Sequence, residues 1–226
     1  MPIFRKLDKE FFELWSYDMA YILGFFAADG SMIINKRGAH YIDFHITDKD
    51  LLYKIRKAFK SNHKIKRQKQ NEKWHDSYHL QIGSKQMFYD LKELGFTQRK
   101  SKTLQMPKIP QKYFSNFTRG YFDGDGTVVY SQYFCKARNK YRKYLQCGFI
   151  SGSETFLQAL SNRLKKETSI LGGSLHLLKG GYRLFYSTRD TLKLYHFMYD
   201  NLDSNLFLKR KQKIFQKYIR FGGVVG

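Results

Sequence analysis

The feature that most limits how this chain can fold is an internal repeat. ILGFFAADG at 22–30 recurs as TRGYFDGDG at 118–126. In that alignment Gly24 meets Gly120, Phe26 meets Phe122, Asp29 meets Asp125 and Gly30 meets Gly126. The correspondence continues downstream. DKDLLYKIRKAF (48–59) puts Leu51, Leu52, Ile55 and Phe59 on one helical face, and SETFLQALSNRL (153–164) does the same with Phe156, Leu157, Leu160 and Leu164. LQIGSKQMFYDLKEL (80–94) matches LFYSTRDTLKLYHFM (184–198). Two units with the same order of elements account for this pattern.

Each unit reads as helix, two strands, helix, two strands, helix, so the fold class is α+β with two pseudo-symmetric αββαββα units. The first unit is expected over 1–102 and the second over 113–226, joined by a linker at 103–112. Pro107 and Pro110 lie in that linker and would stop a helix. The strand signal is period-two alternation. In HYIDFHIT (40–47) Ile42, Phe44 and Ile46 alternate with Tyr41, Asp43 and His45, and in DSYHLQIGS (76–84) Tyr78, Leu80 and Ile82 alternate with Ser77, His79 and Gln81. The second copy is longer by about nine residues between 126 and 150, where FCKARNKYRKY (134–144) carries five Lys/Arg. A longer hairpin is expected there.

In the first helix of each unit, Gly24 and Ala28, and Gly120 and Gly124, are spaced four apart on one stripe. Such stripes let two helices meet backbone to backbone. Packed about a pseudo-two-fold axis, they would bring Asp29 and Asp125 together at two helix C-termini. Each such end already carries about half a negative charge. A divalent cation is the natural counter-charge, and carboxylate and carbonyl oxygens suit Mg²⁺. Gly30 and Gly126 are expected as left-handed C′ residues turning the chain into the first strand, and Asp48 as an N-cap.

The 226 residues contain 41 Lys+Arg against 19 Asp+Glu, a formal net charge of +22. Such an excess points to a polyanionic partner. The basic residues are spread over the whole chain and no apolar run reaches membrane-span length, which favours nucleic acid over a membrane. MPIFRKLDKE lacks a signal-peptide core, and two cysteines, Cys135 and Cys147, make no disulfide framework or zinc knuckle. An intracellular setting is expected, in a bacterial or archaeal cytoplasm or an organelle.

ILGFFAADG and TRGYFDGDG resemble the two signature helices of the LAGLIDADG homing endonucleases of the single-chain, two-motif type. The resemblance implies two antiparallel four-stranded sheets forming a saddle over double-stranded DNA, built by a monomer with pseudo-two-fold symmetry. It also implies Mg²⁺-dependent hydrolysis of both strands across the minor groove of a long asymmetric site, with short 3′ overhangs, Mn²⁺ or Ca²⁺ substituting in binding. By the motif match, Asp29 and Asp125 are the metal-binding acids, with the carbonyls of Ala28 and Gly124 as further ligands. Where the family motif often has an earlier acid, the second copy has Asp123 and the first has Ala27. Lys100 and Lys211, from the duplicated Arg-Lys-x-Lys at 99–102 and 210–213, are expected beside the acids as catalytic residues that stabilise charge or polarise water. An intron maturase, or an inactive nucleic-acid-binding protein on the same scaffold, is the alternative.

The polar strand faces supply the expected DNA contacts. In the first unit these are Tyr41, His45, Lys64, Lys66, Gln68, Gln70, His79 and Gln81. In the second they are Gln132, Lys136, Arg138, Arg142, Gln146, Arg183 and Tyr186.

Overall fold

The computed structural model describes residues 5–69 and 76–221. The first unit runs α1 (Tyr17–Asp29), β1 (Gly30–Ile34), β2 (His40–Ile46), α2 (Lys49–Ala58), β3 (Ile65–Gln68), β4 (Ser77–Gly83) and α3 (Lys85–Glu93). The second repeats this as α4 (Phe114–Asp125), β5 (Gly126–Cys135), β6 (Lys140–Ser151), α5 (Glu154–Glu167), β7 (Ser174–Leu178), β8 (Gly181–Tyr186) and α6 (Thr188–Tyr199). It then adds α7 (Lys209–Phe221), a helix the repeat did not announce. Each unit forms one antiparallel four-stranded sheet, ordered β1-β2-β4-β3 and β5-β6-β8-β7. The expected α+β architecture with two such sheets is present.

Local chemistry explains where the elements begin. The Ser16, Ser84 and Ser153 hydroxyls accept from the backbone N–H three residues on, opening α1, α3 and α5. This satisfies a donor that the first helical turn leaves free. The alternation seen in the sequence becomes two sheet faces. Ile42, Phe44, Ile46, Leu80 and Ile82 are buried on the helix-covered face. Tyr41, His45, His79 and Gln81 lie on the opposite, outer face. The aromatic residues of both units run into one core, in which Phe26 packs edge-on against Phe44, and Phe122 against Phe149.

Three local expectations change. Gly30 and Gly126 are extended, with φ of −84° and −85°, not left-handed. Glycine is needed there for space, since an added Cβ would fall 2.1 Å from the Phe26 ring or 2.3 Å from the Phe122 ring. Asp48 precedes α2 but its carboxylate makes no capping hydrogen bond. It accepts instead from Arg210, with Nη2 at 2.8 Å and Nε at 3.0 Å. A charged two-pronged donor outcompetes a single backbone N–H, and the pair ties the two units together. Among the described residues, no helix is long and apolar enough to cross a membrane.

Candidate active site

α1 is buried along nearly its whole length, from Met19 to Ala27. It packs against α4 with almost nothing between the backbones. A Cβ on Gly24 would lie 2.1 Å from the Phe117 carbonyl oxygen, and one on Gly120 would lie 2.0 Å from that of Tyr21. One on Gly124 would meet the Ala28 Cβ at 2.3 Å. Main chain therefore sets the spacing of the two C-termini, where Asp29 and Asp125 emerge. Both acids are largely buried. Burial, then the charge of Asp125, pushes the Asp29 carboxyl up to about 6, opposed by Lys211 and Lys100. Burial likewise raises Asp125, against the pull of the same two lysines.

Those lysines are buried cations standing at the two helix ends. Lys100, in a 3₁₀ turn at Lys100–Lys102, donates to the carbonyls of Ala27 at 2.9 Å and Ala28 at 3.3 Å. Lys211, in the first turn of α7, donates to Phe122 at 2.6 Å, Gly126 at 2.7 Å, Asp123 at 2.8 Å and Gly124 at 3.4 Å. Each thus satisfies carbonyls that a helix C-terminus leaves free. Burial lowers both ammonium groups to about 8, and the neighbouring acids pull them back up.

The donor set suits a hard divalent cation. Two carboxylates whose ionisation is opposed by burial gain most from such a counter-charge, and every donor at hand is an oxygen. The contacts to Ala28 and Gly124 are the longest that each lysine makes, so these carbonyls keep acceptor capacity. Among the described residues there is no group of three or more His, Cys, Asp or Glu that could hold a metal. The remaining ligands would be backbone, water or substrate oxygens. The residues present fit Mg²⁺ held this way.

A polar network beside the site was not foreseen in full. Asp123 is buried, and its Oδ2 accepts from the Tyr21 hydroxyl at 2.7 Å and the Leu208 N–H at 2.8 Å. Arg119 is 0% exposed. It donates to the carbonyls of Met198 at 2.6 Å and Leu206 at 3.3 Å, and to Asn116. Together they hold the segment leading into α7. The signal was in the repeat: Arg119 and Asp123 stand where the first copy has Leu23 and Ala27. Two polar replacements four apart mark one helical stripe facing something polar.

The expected DNA-contact residues divide by face. Tyr41, His45, Lys66, Gln68, His79 and Gln81 pair across the outer face of the first sheet, and Lys64 is exposed just before β3. Gln70 lies outside the described residues. In the second unit Arg142, Gln146 and Arg183 lie on the outer face, while Lys136 and Arg138 sit in the 3₁₀ turn joining β5 to β6. Tyr186 does not lie there. It pairs with Cys147 on the core face and is 0% exposed. Gln132 also faces the helix side, in line with Tyr130, whose ring packs on Tyr218 of α7. Period-two alternation puts both on the face opposite their intended companions.

Known proteins share features of this chain. Residues 16–94 match the family model of the LAGLIDADG-like domain. A curated relative, the uncharacterized protein MJ0314 of Methanocaldococcus jannaschii, is 29% identical over 120 residues. That match covers 50% of this chain and 43% of the relative, so the chain aligns with less than half the relative's length. Among solved structures, I-SmaMI bound to an uncleaved DNA target with calcium ions superposes with a TM-score of 0.64 at 11% identity, covering 92% of this chain and 91% of that one. The LAGLIDADG meganuclease I-AabMI bound to uncleaved DNA gives 0.61 at 13% identity, with 89% of each chain covered. The homing endonuclease I-WcaI bound to its DNA recognition sequence gives 0.58 at 14%, covering 91% and 90%. Residues 16–94 thus match the LAGLIDADG-like domain, and the chain as a whole shares the fold of these solved structures.

Proposed function

We propose that this chain is a site-specific endonuclease that hydrolyses both strands of a long, asymmetric double-stranded DNA site. The observation that carries the reading is the pair Asp29 and Asp125, one from each unit, held together by a backbone-to-backbone helix contact and flanked by two buried lysines. The matched structures of homing endonucleases bound to DNA support a DNA endonuclease as the general class. The net charge of +22 supports a polyanionic substrate.

In this reading the units are 1–102 and 113–226, joined by 103–112, and the protein works as a monomer in a cytoplasm or organelle. Asp29 and Asp125, with the carbonyls of Ala28 and Gly124, would hold Mg²⁺, with Mn²⁺ or Ca²⁺ replacing it in binding. When bound, a divalent cation lowers the pKa of a water and neutralises charge on the attacked phosphate. The chain's own groups position the rest. Each carboxylate faces one scissile phosphate across the narrow minor groove, so the two cuts are offset and leave short 3′ overhangs. Lys100 and Lys211 bring positive charge to the phosphate from fixed, desolvated positions, where a charge acts more strongly than in water. With ammonium groups near 8, each is mostly protonated at neutral pH and able to exchange a proton with a nearby water. Outer-face residues Tyr41, His45, Lys66, Gln68, His79 and Gln81, together with Lys64 and Gln70, would read the first half-site. Lys136, Arg138, Arg142, Gln146 and Arg183 would serve the second.

The test is selection of cleaved duplexes from a random DNA library with Mg²⁺. Wild type is expected to enrich one long sequence and Asp29→Asn to enrich none. Identical behaviour of the two proteins would overturn the assignment.

A further inference from the structure

The two sheets differ most where the sequence grew longer. In the first sheet, β1 and β2 pair over five positions, and only Ile34↔His40 lies beyond the reach of β4. In the second, β5 and β6 pair over ten positions, but β8 joins β6 only from Cys147 to Ser151. From Val129↔Gln146 out to Cys135↔Lys140 the hairpin is a two-stranded ribbon with no third strand. Seven residue pairs at about 3.3 Å per step carry it roughly 20 Å past the sheet.

Two observations say what this ribbon meets. First, it is braced. The helix-side face packs Tyr130 against Tyr218 of α7 at 5.5 Å, and the Lys143 ammonium donates to the Phe221 carbonyl at the last residue of that helix. An isolated two-stranded hairpin is marginal in water, so a buttress along one side implies work for the other. Second, its charge is unopposed. No Asp or Glu occurs between Asp125 and Glu154, whereas Lys136, Arg138, Lys140, Arg142 and Lys143 all do. The corresponding first-unit stretch, 30–46, has Lys36 and Arg37 against Asp43. The outer face of the ribbon carries Arg142 and Lys140, with Tyr133 directly across from Arg142 and its ring 6.0 Å from that of Tyr144, which lies nearer the sheet.

We propose that the β5–β6 ribbon is a phosphate clamp that lengthens the second half-site, so that the bound duplex extends about six base pairs further on the C-terminal side of the cut than on the N-terminal side. The figure follows from about 20 Å of ribbon over a duplex rise near 3.4 Å per base pair. Lys136, Arg138 and Lys140, at and next to the turn, contact backbone phosphates. They contribute affinity and salt dependence but little base preference at the added positions. This inference rests on the DNA-cleaving reading above and concerns the same surface.

The experiment uses the full chain and the duplex recovered by library selection. The duplex is trimmed by six base pairs from one end or the other, and binding is measured with Ca²⁺ across a salt series. Wild type is expected to lose affinity, on the order of tenfold or more, when the C-terminal flank is trimmed, and far less when the N-terminal flank is trimmed. The triple variant Lys136→Ala, Arg138→Ala, Lys140→Ala should bind the full duplex with a log–log salt slope shallower by about 2.7, the value for three lost phosphate contacts. It should also become indifferent to trimming on either side. Equal sensitivity of wild type to both trims, or an unchanged salt slope in the variant, overturns the clamp while leaving the nuclease assignment standing. Failure to select any cleaved duplex removes the nuclease assignment and the clamp with it. Hydroxyl-radical footprinting of wild type gives a second readout: protection reaching equally far on both sides of the cut would also refute the proposal.

Discussion

Lys100 and Lys211 occupy equivalent places but arrive by different routes. Lys100 comes from a single 3₁₀ turn after α3, on a path cushioned by Phe96, whose ring packs edge-on against Phe26. Lys211 comes from the first turn of a thirteen-residue helix. The chain entering that helix is held by Asp123 through the Leu208 N–H and by Arg119 through two carbonyls. The first unit solves the problem with apolar packing and the second with a buried polar network, and Leu23 and Ala27 against Arg119 and Asp123 are the sequence form of that choice. A chemical position can thus be kept through duplication while its support is rebuilt. The apolar solution tolerates small losses, whereas a buried network leaves charged or polar groups stranded if one member goes.

The comparison yields a graded set of expectations. The acids should be equivalent: Asp29→Asn and Asp125→Asn should each lower double-strand cleavage on the order of 10³-fold, measured as linearised plasmid. A much smaller effect from either one would mean that the two halves are not alike in chemistry. Asp29 also has a pH signature. Its folded-state value near 6 lies above the ordinary 3.8, so the folded protein takes up a proton that the unfolded chain does not. Without metal, stability should therefore fall as pH rises from about 4 to 6, and Asp29→Asn should flatten that slope in thermal melts. With metal, cation affinity should drop as pH falls through about 6. Next come the lysines. Lys211 satisfies four carbonyls and Lys100 two, and each stranded carbonyl costs roughly 1–3 kcal/mol. Lys211→Met should therefore unfold at lower denaturant than Lys100→Met, although both slow cleavage.

Asp123→Asn keeps the shape but weakens one charged acceptor, and should cost about 1–2 kcal/mol. If the network serves only Lys211, nicking assays on labelled strands should show one strand slowed more than the other, and equal slowing would remove the distinction between the routes. The smallest effect is expected from Arg210→Ala. Its partner is Asp48, and the Arg210 side chain is more than half exposed to solvent that screens the pair, so urea melts should move by less than about 1 kcal/mol.

Much of this molecule could be read from the residues alone. The duplicated Gly-x₄-Asp-Gly helices, the alternation in 40–47 and 76–84 and the excess length near 134–144 each correspond to an observed element. They are local, periodic signals, and those survive folding. What failed was face assignment in the second unit. Arg183 and Tyr186 are three residues apart and so lie on opposite sides of β8, and Gln132 has the opposite parity to Tyr133 and Ser131. The partner of Asp48 and the carbonyls under Arg119 lie far away in sequence, so no local pattern points to them. α7 was hidden because the Arg-Lys-x-Lys copies look alike, while one sits in a short turn and the other opens a long helix.

The glycine contact between α1 and α4 has a further consequence. With nothing bulkier than the Ala28 methyl interposed, the gap between Asp29 and Asp125 is a property of peptide geometry and carries no adjustable part. In the proposed endonuclease, substitutions on the outer strands would then rewrite which letters are recognised without moving the scissors, leaving the address and the stagger of the cut free to evolve separately.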